Sequence, residues 1–263
     1  MIPIDLKDKV AIVTGVSSGI GAGVAATLAE AGCHISCCAK NNPDSPGVLN
    51  FIHTVESLDR KCMYQKADVT STEEIQSLVK NTVDKYGRID ILISNAGMNV
   101  FKGAEEASEG DWDFNMNLNL KSHWTIAKLC KPYLSESPNG VIIINSSNHA
   151  YSTIPGCFPY NVSKAGISGL VQSIAIEWGP DIRTIGIAPG FIVVESTKAW
   201  FDSFPDPGAE LERTIQRHPA GKIGTPQDIG AFCAFLASDY AGFITGVTYL
   251  IDGGRSALMQ DDQ

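Results

Sequence analysis

The sequence predicts one α/β domain, doubly wound, with a mostly parallel central sheet and helices on both of its faces. Short apolar, β-branched runs alternate with amphipathic helical stretches from one end of the chain to the other, the order that builds βαβ units. The runs are apolar at consecutive positions, which a strand needs only where both faces of the sheet are covered. Size agrees: 263 residues, 44% hydrophobic and 19% charged, suffice for one large core. No repeat or linker divides the chain, so residues 1–263 are read as a single domain.

The elements follow in order. VAIVTG (10–15) is the first strand, and GIGAGVAATLAEAG (19–32), rich in helix formers and closed by a glycine, is the first helix. HISCCAK (34–40) is the second strand; after the polar NNPDSPG, VLNFIHTVESL has helical periodicity. CMYQKADV (62–69) is a strand, and STEEIQSLVKNTVDKYG (71–87) is an amphipathic helix with Ser71 or Thr72 as N-cap and Gly87 as its stop. IDILISNAG (89–97) leads into a long helical region over 109–134, and VIIINSS (141–147) is an apolar strand that ends in polar residues. A helix over 160–178 and the strand IRTIGIAPG (182–190) come next. Residues 192–224 break the rhythm: they are aromatic, Pro-rich and mixed in charge, and read as an irregular substrate lid. A helix (226–237) and the strand GVTYLID (246–252) complete the sheet.

Composition narrows the function. A net charge of −9 argues against nucleic acid or an anionic membrane as partner. No 18-residue apolar run and no leader-like N-terminus stands in the sequence. The seven cysteines (33, 37, 38, 62, 130, 157, 233) are read as reduced thiols of a cytoplasmic protein. The five histidines are scattered and pair with no CxxC, so no metal is expected.

Two stretches carry chemistry. TGVSSGIG (14–21) joins the first strand to the first helix. Gly15, Gly19 and Gly21 allow a tight turn and close backbone approach, and the helix then presents free N–H groups to a pyrophosphate. Downstream, Tyr160 and Lys164 lie four apart and share a helix face, with Ser147 at the end of a preceding strand. A carbonyl/alcohol interconversion needs a proton donor poised beside a hydride carrier. A tyrosine titrates too high to be a good base at neutral pH unless a nearby ammonium stabilises its phenolate.

With TGxxxGIG and YxxxK in this order, the chain resembles the short-chain dehydrogenase/reductase family over nearly its whole length. The resemblance implies a Rossmann-like fold in which Ser17, Ser18 and Ile20 complete the cofactor-binding turn. It implies that Asp68 and Val69 flank the adenine, and that Asn95, Ala96 and Gly97 line the cofactor cleft. Pro189, Gly190 and Ile192 touch the cofactor, Lys164 also holds its ribose, and Asn119 joins Ser147, Tyr160 and Lys164 as a catalytic set that relays protons through water. The family's usual threonine four residues past Gly190 is here Val194, with Ser196 or Thr197 as the substitutes. Where an acidic residue would bind the 2′-hydroxyl of NAD stands Ala39, followed by Lys40; this favours NADP, with NAD as the alternative.

His149, two residues past Ser147, and Trp200 are the candidate substrate contacts, and the polar Asn148–His149 pair suits a sugar, polyol or related hydroxy-carbonyl compound. A 3-oxoacyl-thioester (acyl carrier protein) reductase is the alternative within this chemistry, and a non-catalytic NADP(H) sensor or scaffold the alternative outside it. Family resemblance further implies a homodimer or homotetramer packed through the helices of 109–134 and 160–178.

Overall fold

The computed structural model describes residues 3–258. Seven strands, β1 (Val10–Thr14), β2 (His34–Ala39), β3 (Cys62–Lys66), β4 (Ile91–Ser94), β5 (Gly140–Asn145), β6 (Ile182–Pro189) and β7 (Thr248–Ile251), form one sheet in the order β3-β2-β1-β4-β5-β6-β7. Every pairing is parallel. The chain runs outward from β1 to β3, then returns to the other side of β1 with β4. The crevice at that reversal, past the carboxyl ends of β1 and β4, is where open α/β sheets bind ligands.

The period of two in each strand divides the core into two layers. Ala11, Val13, Ile91, Ile93, Val141 and Ile143 face α1 (Gly19–Glu30), α2 (Pro46–Ser57) and α9 (Pro226–Ala237). Ile12, Leu92, Ile142 and Ile144 face α3 (Thr72–Tyr86), α5 (Ser122–Leu134) and α6 (Tyr160–Trp178). Each such fully buried Ile or Leu contributes about 1.5–3 kcal/mol over an exposed one, so the strand ends that carry the site rest on a rigid floor. All seven cysteines are free thiols. Among the described residues no helix is long and apolar enough to cross a membrane.

The helical region of 109–134 is present and has three pieces: α4 (Glu109–Met116), held by a Ser108–Asp111 capping box, gives way to a π-helical turn over Asn117–Lys121 before α5 begins. Two expectations need correction. Residues 192–224 are largely ordered as two short helices, α7 (Glu195–Asp202) and α8 (Pro207–Gln216). Asp206 caps α8 through the Ala209 N–H at 2.9 Å, with Pro207 at the first helical position. Strand β3 stops at Lys66, so Asp68 and Val69 belong to the following turn, where Asp68 accepts from the Thr70 N–H at 2.9 Å.

Candidate active site

The glycine-rich turn leaves β1 at Thr14. Gly15 and Gly19 hold φ of 78° and 67°, left-handed values that strain any side chain. Ser18 caps α1 with no side-chain hydrogen bond, so the N–H groups of the first turn, which lack intrahelical acceptors, are open to an anion. Gly21 packs into the turn, and Ser17 and Ile20 complete it. A dinucleotide pyrophosphate fits this cradle on the strength of those unspent donors.

Beside it, three strand ends are stitched together. The Thr14 hydroxyl accepts from the Asn95 and Ala96 N–H groups, both at 3.0 Å. Asn95 Nδ2 donates to the Thr14 carbonyl at 2.9 Å, and its Oδ1 accepts from Asn145 Nδ2 at 2.9 Å. Asn145 in turn receives Lys164: its carbonyl accepts from Lys164 Nζ at 2.8 Å. Lys164 is 2% exposed, and among the described residues no carboxylate pairs with it. Burial pulls its pKa down to about 7. A lysine at that value is charged on only part of the molecules at neutral pH.

Tyr160 opens α6, and Lys164 Nζ lies 5.6 Å from its ring centre. Ser147 sits just past β5, its Oγ accepting from the His149 N–H at 3.2 Å. Neighbouring Ser146 fixes this loop on α6 by donating to the Lys164 carbonyl at 2.8 Å. The Tyr160 pKa lies above its ordinary value. Burial pushes the phenol up, and only the adjacent Ser147 hydroxyl pulls it back.

Asn119 is fully buried in the π-helical turn. Its Oδ1 accepts from the Met98 N–H at 3.0 Å, and its Nδ2 donates to the Met98 carbonyl at 2.9 Å and to Asn115 Oδ1 at 3.0 Å. Three of its side chain's four hydrogen-bonding positions are therefore filled. Gly97 is required by close approach: a Cβ there would stand 2.7 Å from Asn119 Oδ1 and 3.3 Å from Lys164 Nζ.

The remaining candidates divide. Pro189 and Gly190 end β6 at the crevice, and Ile192 is buried behind them. Val194 lies 3.5 Å from where a Cβ on Gly19 would be, so it closes over the turn with a methyl group where a hydroxyl was expected. Thr197 does not replace it: its hydroxyl accepts from the Val194 N–H at 2.8 Å and lies 2.8 Å from the Val194 carbonyl. Lys40 is exposed and pairs with Asp68 at 2.8 Å. Burial raises the Asp68 pKa, but hydrogen bonds from Lys40 and Thr70 more than offset this and leave it below its ordinary value. His149 packs edge-on to Tyr160 with ring centres 6.1 Å apart. Trp200 meets Phe191 at a tilt and Phe201 and Phe204 edge-on.

Sequence reasoning missed the supports. Asn145 reads only as a strand residue, and Thr14 only as the opening residue of the glycine-rich motif. Ser94 and His123 share a buried hydrogen bond of 2.7 Å beneath the site; burial, then the Lys164 charge, holds His123 well below its ordinary pKa. A histidine on the apolar face of the long helix was the one visible signal.

This crevice, with its open helix N-terminus beside a tyrosine and a buried lysine, is that of a dinucleotide-dependent oxidoreductase. A family model described as enoyl-(acyl carrier protein) reductase matches residues 15–256. The 2-dehydro-3-deoxy-D-gluconate 5-dehydrogenase of Escherichia coli is 34% identical over 254 residues, 95% of this chain and 96% of that protein. The 3-oxoacyl-(acyl-carrier-protein) reductase of Thermotoga maritima is 34% identical over 252 residues, 95% of this chain and 98% of that one. The ligand-free aldohexose dehydrogenase of Thermoplasma acidophilum is similar in structure, with a TM-score of 0.87 at 28% identity over 98% of both chains. The chain belongs to the short-chain dehydrogenase/reductase family, whose members bind NAD(P) and act on alcohol and carbonyl groups.

Proposed function

We propose that the chain interconverts an alcohol and a carbonyl on a sugar, polyol or related hydroxy-carbonyl compound, with NADP(H) as cofactor and Tyr160 as general acid/base. The observation that carries this is the meeting of Tyr160, Ser147 and buried Lys164 in one crevice beside the glycine-rich turn. The bound cofactor supplies or accepts the hydride. Ser147 holds the substrate oxygen, and the Tyr160 hydroxyl gives that oxygen its proton during reduction. A phenol held above its ordinary pKa donates only when the developing alkoxide takes the proton. In oxidation Tyr160 takes the proton back, with protonated Lys164 stabilising the phenolate. The Asn119 backbone holds a water that carries protons between Lys164 and solvent.

Residues 192–224, with α7 and α8, cover the substrate, and His149 and Trp200 flank it. The sugar reading is supported by polar Asn148 and His149 beside Ser147, and it agrees with two of the three similar proteins. The third keeps a 3-oxoacyl thioester as the competing substrate. NADP(H) is favoured because β2 ends at Ala39, without a carboxylate, and Lys40 can exchange its exposed Asp68 pair for a phosphate. Exposed Trp112, Phe114, Trp124 and Ile176 on α4, α5 and α6 suit a homodimer or homotetramer.

The test is cofactor absorbance against sugars, polyols, 3-oxoacyl thioesters and simple ketones, each with NAD(H) and NADP(H). Strong turnover of a sugar or polyol is expected; turnover of thioesters alone would replace the substrate, and tight NADPH binding without turnover would point to a sensor. Lys40→Ala should weaken NADPH by roughly tenfold, a single charged phosphate contact, and NADH far less. Equal losses for both would remove the phosphate clamp.

A further inference from the structure

We propose that the substrate carries an anionic group, a carboxylate or a phosphate several bonds from the reacting carbon, and that Arg255, aided by Arg217, holds it. This deepens the sugar or polyol reading and rests on it.

The chain has six arginines, and four have their partners within the described residues. Arg60, Arg88 and Arg213 pair with Asp8, Asp90 and Glu210. Arg183 bonds Asn139 and the carbonyls of Leu236, Ala241 and Ile244. Arg217 and Arg255 are half-buried, and among the described residues neither side chain has an ion pair or a hydrogen bond. Arg255 feels Arg217: burial, then the Arg217 charge, lowers the Arg255 pKa. Two like charges brought together out of water oppose folding unless a counter-ion joins them. Asp252, the nearest acid on the same segment, offsets part of this at Arg255 but makes no ion pair with it. Its Oδ1 accepts from the Gly254 N–H at 3.0 Å and its Oδ2 from the Ser256 N–H at 2.8 Å.

The position of Arg255 connects this pair to the reaction. Its guanidinium lies 5.9 Å from the ring centre of Phe191, which follows Gly190 at the end of β6 and packs on Trp200 at 5.5 Å. The next residue, Ser256, meets Asn148 Nδ2 at 3.4 Å, so the chain end is joined to the loop after Ser147. Arg255 thus lies on Phe191, and its charge is felt at the His149 ring, which burial and then Arg255 hold below its ordinary pKa. That ring touches Tyr160. Arg217 follows α8, and the next residues, His218 and Pro219, pack under the Gly253–Gly254 turn that precedes Arg255. A guanidinium set on an aromatic face presents its flat fork to a carboxylate or phosphate.

The test uses the whole chain with saturating NADP(H) and three matched compounds: a hexitol, the hexonate of the same configuration, and the hexitol phosphate. An anion should exceed the neutral hexitol in kcat/KM by about tenfold or more, the worth of a charge-assisted contact. Which anion wins tells carboxylate from phosphate. Arg255→Met should bring the anion-to-neutral ratio close to one, chiefly through KM; Arg255→Lys should restore part of it, and Arg217→Met should lower it less. NADPH fluorescence titration of each variant confirms a folded cofactor site. A ratio that survives Arg255→Met, or a wild-type preference for the hexitol, overturns this proposal and leaves the sugar reading standing. Turnover of oxoacyl thioesters alone overturns both. A variant that falls to a smaller species on size exclusion, its ratio intact, assigns the arginines to a subunit contact and overturns the proposal as well.

Discussion

The floor of the crevice and its outer wall are built on opposite terms. On the floor, Thr14, Asn95, Asn119, Asn145 and Lys164 are buried or nearly so, and each is tied to backbone or to another floor residue. On the wall, Trp200 is 41% exposed, the Phe191 ring packs on Trp200 and Phe201, and among the described residues Arg255 and Arg217 have no ion pair or side-chain hydrogen bond. The floor fixes geometry because a displaced buried polar group loses about 1–3 kcal/mol. The wall holds its shape by rings that slide at little free-energy change. On the proposed reading, reaction type belongs to the floor and substrate choice to the wall.

Three substitutions sharpen that contrast. The largest effect is expected for Tyr160→Phe, which removes the proton donor and keeps the ring: turnover should fall by about 10³-fold, with NADPH binding retained by fluorescence titration. Abolished binding would instead make Tyr160 part of the structure of the floor. The second is Lys164→Met. A lysine lowered to about 7 in the folded chain and ordinary when unfolded binds fewer protons folded than unfolded between those values. Wild-type stability then rises with pH from about 7 towards the ordinary lysine value, and the penalty is present in full below that window. Urea unfolding should show Lys164→Met more stable than wild type near pH 7 by up to a few kcal/mol, the advantage shrinking as pH rises. A difference independent of pH would contradict a desolvated lysine. The smallest effect on the fold is expected for Trp200→Ala, about 1 kcal/mol or less by thermal denaturation, with KM rising severalfold for the preferred substrate. A stability loss like that of a core substitution would erase the distinction between wall and floor.

The same contrast explains what could be read from the sequence. The strands were legible because a parallel sheet covered on both faces demands consecutive apolar residues, as in VIIIN of β5 and ILIS of β4. Tyr160, Lys164 and the glycine-rich turn were legible because their chemistry requires fixed residue types at fixed spacings. Asn145 was not, since its contribution to Lys164 is a backbone carbonyl, which any residue owns. The π-helical turn around Asn119 escaped because one extra residue in a helical turn leaves apolar periodicity nearly intact over so short a stretch. Helices α7 and α8 did carry signals, Asp206 followed by Pro207 above all, but their single narrow apolar faces were hidden among exposed aromatic and charged residues. Arg255 lies past the last strand, and its meaning comes only from the contacts that the fold brings to it.

The Thr14–Asn95–Asn145 stitching has a consequence on a longer timescale. It joins the carboxyl ends of β1, β4 and β5 without any residue from α7, α8 or the segment after β7. Inherited changes in those outer pieces can accumulate without reaching the proton-transfer geometry, so a descendant can take up a new metabolite while keeping its ancestor's chemistry. A lineage with this architecture diversifies at its rim.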